Sequence, residues 1–219
     1  MAQFPRMMKY ALPFALAAVV AAPIVAQMPA GQPGAADKAR VTAGTYVVDA
    51  GHAQIGWRLN HMGFNDTLGL IGGETGTLTL DPANPGASKV SISIPVAKLV
   101  AADAGLTAHL MKPAGANGKA DFFGANPAPA TFESTSVAVG ADGTSAKVAG
   151  NLTLNGVTKP VTVDVNFVGA GKNPMKGVET VGFHGMATIK RSEFGLGYAV
   201  PVVGDDVSLT ISIAFEKKA

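Results

Sequence analysis

The 219-residue chain contains no cysteine, which excludes disulfide bonds, a thiol nucleophile, a cysteine-ligated metal and a lipid-anchored cysteine. It also lacks a phosphate-binding glycine loop, a nucleophile elbow and a His-Glu-x-x-His pattern. No two of its four histidines, His52, His61, His109 and His184, have close ligand spacing. The sequence therefore predicts no catalytic residues, no metal and no cofactor, and we expect the histidines to be hydrogen-bonded at strand ends.

The chain after residue 26 also has no excess of positive or negative charge. Residues 1–26 contain two basic side chains, Arg6 and Lys9, and no acid. Without them, fifteen of the seventeen basic residues remain, against fifteen acidic ones. This balance gives no basic patch, so we expect no nucleic-acid partner.

Residues 1–26 have the pattern of an export signal. Arg6 and Lys9 give a positive start, the apolar run "YALPFALAAVVAAPIVA" follows, and the small Ala26 suits the cleavage point. An uncleaved membrane anchor is the alternative, but the run is shorter than the about 20 residues that a spanning helix needs. Because export without disulfides suits a bacterial periplasm, we expect a secreted, periplasmic protein that is cleaved near Ala26.

The remaining chain divides into a leader and one domain. Residues 27–43 are small and polar, contain prolines and show no periodicity, which predicts a flexible leader. From residue 44 to residue 219 we assign a single domain, because a two-residue period dominates from Tyr46 onwards.

Alternation of apolar and polar residues predicts eight or nine β-strands in this domain. In "VTVDVNF", residues 161–167, valines and a phenylalanine alternate with polar side chains. Short loops separate most of these segments, and two of the loops contain the hairpin-type pairs Asn155-Gly156 and Asp142-Gly143. The pattern predicts an all-β domain of antiparallel strands that close into a barrel or split into a sandwich.

Two features do not fit plain strands. Residues 96–124 lack alternation and contain "AADAGLTAHLM", which favours a short helix, so this segment is long enough to cross one end of a barrel. Among the charged residues, we interpret Glu74 and the pair Asp205-Asp206 as turn carboxylates. We interpret Lys190-Arg191 as a solvated or salt-bridged pair at a strand end.

A series of motifs follows one another in a characteristic order. They are "YVVDAGHAQIGWRLNHMGF", "GTLTLD", "AHL", "ADFFG", "TF", "GNLTLNGVTKPVTVDV", "VGFHGMATIKRSEFGL" and "VGDDVSLTISIAFEK". This order resembles the YceI-like family of polyisoprenoid-binding proteins over residues 44–217. The most specific pieces are "LTLNGVTKPV" and "IKRSEFGL".

The resemblance implies an eight-stranded antiparallel lipocalin-like β-barrel with a short helical crossover segment, which holds a long isoprenoid chain in its lumen. Where the family usually has serine, this chain has Ala53, and where aromatics are common, around "GLIGGETG", it has Glu74. These departures bear on the shape and polarity of one end of the barrel.

Fold and resemblance together predict non-enzymatic binding, storage or transport of a long-chain isoprenoid lipid or isoprenoid quinone. Such a chain needs an apolar tunnel and no catalytic group. Strand parity selects lining residues, while Leu110, Phe122 and Phe123 are placed at the helical end as a lid over the entrance or, alternatively, as a fixed plug. The predicted ligand-binding residues are Trp57, Leu59, Leu78, Leu80, Ile92, Leu110, Phe122, Phe123, Phe132, Leu152, Val163, Phe183 and Ile211.

Two other functions stay open at this point. One is an enzyme that acts on an isoprenoid lipid through His52, His61 or His109. The other is a stress-related periplasmic protein that binds a partner and has a packed barrel, in which Trp57 and Phe183 are plain core. The oligomeric state is also open, and a homodimer is possible.

Overall fold

The structure, a computed structural model, describes residues 31–116 and 118–218. The predicted export signal, residues 1–26, and the beginning of the predicted leader lie outside these residues. Within the described ranges, no helix is long and apolar enough to cross a membrane.

Antiparallel strands dominate the described chain, as the alternation predicts. One α-helix, α1, spans Ala104–Leu110, and single 3-10 turns lie at Lys38–Arg40, Pro85–Ala87, Val96–Lys98 and Arg191–Phe194. The strands are β1 (Gly44–Val48), β2 (Gln54–His61), β3 (Asn65–Gly72), β4 (Thr75–Leu80), β5 (Lys89–Ile94), β6 (Val100–Ala101), β7 (Ala130–Val139), β8 (Ser145–Leu154), β9 (Val157–Lys172), β10 (Glu179–Lys190) and β11 (Asp206–Lys217).

These strands form one closed barrel. Three of the eight barrel strands are interrupted and consist of two consecutive segments each, namely β1 with β2, β3 with β4, and β5 with β6. The segments follow one path because β1 is hydrogen-bonded to β4 and β2 to β3, while β5 is hydrogen-bonded to β4 and β6 to β3. Strands β7 to β11 follow in order, and β11 pairs with both β1 and β2, which closes the sheet. The predicted eight-stranded antiparallel barrel with a short helical crossover is therefore confirmed.

The barrel has two unlike ends. The floor end carries the β2–β3, β8–β9 and β10–β11 connections and the crossing segment between β6 and β7. The mouth end carries the β4–β5, β7–β8 and β9–β10 connections, and it is named for the cavity that opens there. Strands alternate in direction, so β4 runs from the floor end toward the mouth end.

A cluster of buried apolar residues fills the floor end. Leu152, Ile189, Phe194 and Leu196 are its core, and Phe123 packs against it from the crossing segment. Phe194 and Leu196 come from the loop between β10 and β11, which folds inward across the barrel opening. The floor end is thus closed by packed side chains.

Arg191 holds this loop in place. Its guanidinium group donates hydrogen bonds to the backbone carbonyls of Leu196, Tyr198 (2.8 Å), Val203 (2.9 Å) and Gly204 (2.8 Å), and its side chain is buried. The interpretation of Arg191 as a solvated or salt-bridged residue is therefore wrong. A bidentate fork that can satisfy several carbonyls at once explains why arginine tolerates burial here.

Two other charged residues near this loop behave as expected. Lys190 forms an exposed ion pair with Asp206, with Nζ 2.8 Å from Oδ1. Asp205 is a turn carboxylate that accepts hydrogen bonds from the backbone N–H and the hydroxyl group of Ser192.

At the mouth end, residues 33–41 form what we call the N-terminal strap. Ala35 pairs with Ala170 of β9 through two backbone hydrogen bonds of 3.1 and 2.9 Å. A Cβ on Gly171 would lie 2.2 Å from the carbonyl oxygen of Pro33, so only glycine lets the strap lie this close. Residues 33–41 of the predicted flexible leader are therefore pinned to the barrel.

Candidate ligand-binding cavity

The interior of the barrel contains a cavity of about 540 Å³. Its wall is formed by inward-facing apolar side chains of β2, β4, β5 and β7 to β11, which are the apolar half of each alternating strand. Eight of the thirteen predicted residues lie in this wall. They are Leu78, Leu80, Ile92, Phe132, Leu152, Val163, Phe183 and Ile211.

The cavity is closed at the floor end and open at the mouth end. Phe132, Leu152 and Leu209 line it and also pack on the floor cluster, so they form its base. At the other end the lining reaches exposed residues of the β4–β5 and β7–β8 turns, such as Pro82 and Thr144. The cavity therefore meets solvent at the mouth end.

The N-terminal strap borders this opening. Lys38 and Val41 line the cavity, and the Nζ atom of Lys38 lies 2.6 Å from where a Cβ on Gly143 would stand, in the β7–β8 turn. The strap thus spans from the edge of β9 past the β7–β8 turn to the beginning of β1.

Five predicted residues do not reach the cavity. Trp57 faces inward, as parity predicts, but its ring packs against Gly69, where a Cβ would lie 2.4 Å from Trp57 Cζ2. It is buried core, one of the alternatives considered above, and Leu59 lies two residues nearer the floor end of the same strand. Their assignment to the ligand wall is not supported, because parity fixes the face of a strand but not the depth along it.

Leu110, Phe122 and Phe123 lie at the floor end, so they do not cover the opening at the mouth end. Phe123 donates its backbone N–H to the carbonyl of Leu110 (3.1 Å) and packs on the floor cluster. Phe122 forms edge-to-face contacts with His109 (5.3 Å) and Tyr198 (5.5 Å). This geometry favours the plug over the lid.

Sequence reasoning missed several polar and charged residues of the cavity wall, and the most deeply buried of them is Glu74. Glu74 lines the cavity and is only 1% exposed, so its interpretation as a turn carboxylate is wrong. It has the same parity as Leu78 and Leu80, but the preceding Gly72-Gly73 pair suggested a turn and obscured this signal.

The Glu74 carboxyl group is unusual in its surroundings. Neither of its oxygens has a hydrogen-bond partner among the described residues. Burial raises the pKa of this carboxyl above its usual range, and its own backbone N–H and the ammonium group of Lys98 oppose that rise only in part.

The histidines show no shared site. His52 makes a 2.7 Å contact with Asp49 at a strand end and is exposed, while His109 belongs to the aromatic group at the floor. Across residues 31–116 and 118–218, no group of three or more His, Asp or Glu side chains could hold a metal ion.

A closed eight-stranded barrel with an apolar cavity open at one end defines a class, the lipocalin-like barrels, whose interior is wide enough for one small ligand. Residues 46–215 match the model of the YceI-like domain. The chain belongs to the YceI-like family.

Known relatives span most of this chain. A UPF0312 protein of Pseudomonas aeruginosa is 37% identical over 163 residues, which are 74% of this chain and 80% of that protein. The crystal structure of BcnA from Burkholderia cenocepacia is 26% identical with a TM-score of 0.63, covering 76% of this chain and 98% of BcnA. A polyisoprenoid-binding domain from Saccharophagus degradans, 12% identical with a TM-score of 0.56, covers 79% of this chain and 98% of that domain, and shares the fold.

Proposed function

We propose that this protein binds one isoprenoid lipid or isoprenoid quinone in the barrel cavity and carries or stores it without chemical change. The observation that carries the proposal is the apolar cavity of about 540 Å³ inside a closed barrel. Its volume lies within the range of about 300–1,000 Å³ that is typical of small-ligand sites.

The chemistry of the wall favours a hydrocarbon chain. Each CH₂ group that leaves water contributes about 0.8 kcal/mol, so a few isoprene units bind firmly without any specific polar contact. A cavity of this size holds a chain of a few isoprene units, and a longer chain would project through the mouth.

Membership of the YceI-like family supports an isoprenoid over other lipids, because the resemblance implies polyisoprenoid binding. The domain of S. degradans that shares this fold is a polyisoprenoid-binding domain, which supports the same ligand class here. Whether the ligand is an alcohol, a phosphate or a quinone depends on the polar groups that the chain meets.

We further propose that the protein works in the periplasm, where an exported barrel would meet lipid released from a membrane. The positive start and apolar run of residues 1–26 support export. An intact mass that begins near Gln27 would agree with cleavage, whereas residues 1–26 retained on membrane-bound protein would contradict it.

An enzymatic role finds less support in the site. His52, His61 and His109, the histidines considered for catalysis in the sequence, do not line the cavity; His184 does, but it is exposed. A turnover assay with His→Ala variants would separate the two functions, because a carrier keeps ligand binding and shows no turnover to lose.

Native mass spectrometry of protein purified without detergent tests the proposal. We expect one hydrophobic ligand mass per chain, released by organic solvent and identified as an isoprenoid. A chain that is recovered empty and takes up no added isoprenoid would contradict isoprenoid binding and favour a role in binding a partner protein.

A further inference from the structure

Glu74 is an ionisable residue in the apolar wall of the cavity, where the proposed ligand would lie. It is 1% exposed, it lines the cavity, and both of its carboxyl oxygens lack a hydrogen-bond partner within the described part of the chain. Buried polar groups are nearly always hydrogen-bonded, because an unpaired one costs about 1–3 kcal/mol. A group of this kind that faces a cavity points to a partner supplied from within the cavity.

The strand register places Glu74 deep in the barrel. Gly76 pairs with Ile92, and Ile92 pairs with Phe132, which lies on the floor cluster. Glu74 precedes Gly76 on a strand that runs toward the mouth, so the carboxyl group belongs to the floor half of the cavity. A ligand group that reaches it must enter first, with the apolar chain behind it.

Lys98 does not satisfy this carboxyl group. Its Nζ atom lies 2.6 Å from where a Cβ on Gly73 would stand, yet no ion pair or hydrogen bond joins Lys98 to Glu74 in the described residues. The positive charge nearby disfavours a cationic ligand group at the same place. A neutral group that both donates and accepts fits the carboxyl group in either of its protonation states.

We propose that Glu74 is a polar anchor in the lumen that binds the terminal hydroxyl group of an isoprenoid alcohol and thereby selects the free alcohol over the hydrocarbon and the phosphate ester. This inference rests on the proposed function, because it concerns the polar end of the same ligand. A quinone carbonyl only accepts hydrogen bonds, so it pairs with Glu74 only while the carboxyl group is protonated.

A phosphate ester does not suit this position. A phosphate carries about −1.5 to −2 charges at pH 7, and burying that charge beside a carboxyl group in an apolar wall is costly. Lys38 lines the cavity at the exposed mouth, so a phosphate would stay there with the chain pointing inward. Glu74 would therefore stabilise a bound alcohol, whose hydroxyl group reaches it, and disfavour a bound phosphate ester, whose apolar end would reach it instead.

Competition against tritiated farnesol tests the anchor, with farnesene as the matching hydrocarbon and farnesyl phosphate as the ester. For the wild-type protein we expect farnesol to bind about 10-fold more tightly than farnesene, the effect of one hydrogen bond in a buried site. In Glu74→Leu this ratio should fall to near one through weaker farnesol binding, and farnesyl phosphate should bind the wild type less tightly than farnesol.

Two further variants make the result specific. Glu74→Gln keeps a donor and an acceptor in the same shape and should retain most of the preference. Glu133 lies on the outer face of the barrel and accepts a hydrogen bond from Ser91 (2.6 Å), so Glu133→Leu is the matched control and should keep the full preference. Thermal unfolding confirms that each variant is folded.

The outcomes separate the anchor from the function. A folded Glu74→Leu protein that still prefers farnesol about 10-fold would overturn the anchor, as would a wild type that binds farnesol and farnesene equally. In both cases lipid binding itself stands. If neither the wild type nor any variant binds farnesol or farnesene, the proposed function fails, and the anchor fails with it.

Discussion

The two ends of the barrel are built from different chemistry. The floor end is closed by a buried arginine that satisfies four backbone carbonyls and by aromatic side chains from two segments. The mouth end has hairpin turns and the strap, which the Ala35–Ala170 backbone pair ties to β9. A barrel of paired strands cannot admit a ligand through its wall, and the floor is closed, so this contrast assigns ligand access to the mouth. A second buried cluster, with Tyr46, Val181 and Phe215, lies toward the mouth end, so both ends contribute to stability.

The largest expected effect is at the floor. Arg191→Met removes the donors of four carbonyls in a buried loop, and unsatisfied buried groups cost about 1–3 kcal/mol each, so we expect a loss of at least about 3 kcal/mol in the free energy of unfolding. Urea denaturation measures this. Lys190→Met, which breaks only the exposed pair with Asp206, is the control and should change stability little; equal stability of both variants would show that the floor does not depend on Arg191.

The next effect concerns the cavity. Leu80 lines it near the mouth, so Leu80→Trp should fill space and weaken isoprenoid binding at least about 10-fold, the loss of roughly two buried CH₂ contacts. Thr79 faces outward on the same strand, and Thr79→Trp should bind normally. Equilibrium binding of tritiated farnesol compares the two, and unchanged affinity in a folded Leu80→Trp protein would place the ligand elsewhere.

A smaller effect is expected at the strap. Gly171→Ala would put a Cβ 2.2 Å from the carbonyl oxygen of Pro33 and so displace the strap and its two hydrogen bonds to Ala170. Release of lipid to vesicles, followed by stopped flow, should become several-fold faster, up to about 10-fold if both bonds are lost. Gly182→Ala, whose new Cβ would meet its nearest neighbour at 3.8 Å, should release lipid at the wild-type rate, and identical rates in both variants would mean that the strap does not restrict the mouth.

The smallest effect is a pH dependence from Glu74. Burial raises the pKa of this carboxyl in the folded protein, so between the usual glutamate pKa of about 4.3 and the raised value the folded state binds more protons than the unfolded state. The free energy of unfolding must therefore fall as pH rises through that window. Urea titrations at several pH values should show Glu74→Gln gaining stability relative to wild type as pH rises; parallel curves would contradict the raised pKa.

Strand parity is a local property, so the sequence predicted the all-β class and much of the cavity wall, whereas the choice of a barrel over a sandwich came from the resemblance to the YceI-like family. The sequence placed Leu78, Ile92 and Phe183 on the inner face and in the cavity. Parity carries no information on depth, so it could not separate the core residue Trp57 from the wall.

The ends of the barrel were harder to predict. The role of Arg191 depends on carbonyls that only the folded loop brings together, and the position of Phe122 and Phe123 depends on which end the crossing segment covers. Glu74 was hidden because two glycines before it resemble a turn, although its parity with Leu78 was visible in the sequence.

Photo-crosslinking tests the central claim most directly, namely that an isoprenoid chain lies inside the barrel and enters through the mouth. A farnesol analogue with a diazirine in the chain would be irradiated with the protein, and the labelled residues would be mapped by peptide mass spectrometry. We predict labels on cavity residues such as Leu78, Val163 and Phe183, and weaker labelling of the same residues in Leu80→Trp at equal ligand concentration. Labels confined to outer-face residues such as Leu68 or to the exposed Phe64 would contradict lumenal binding.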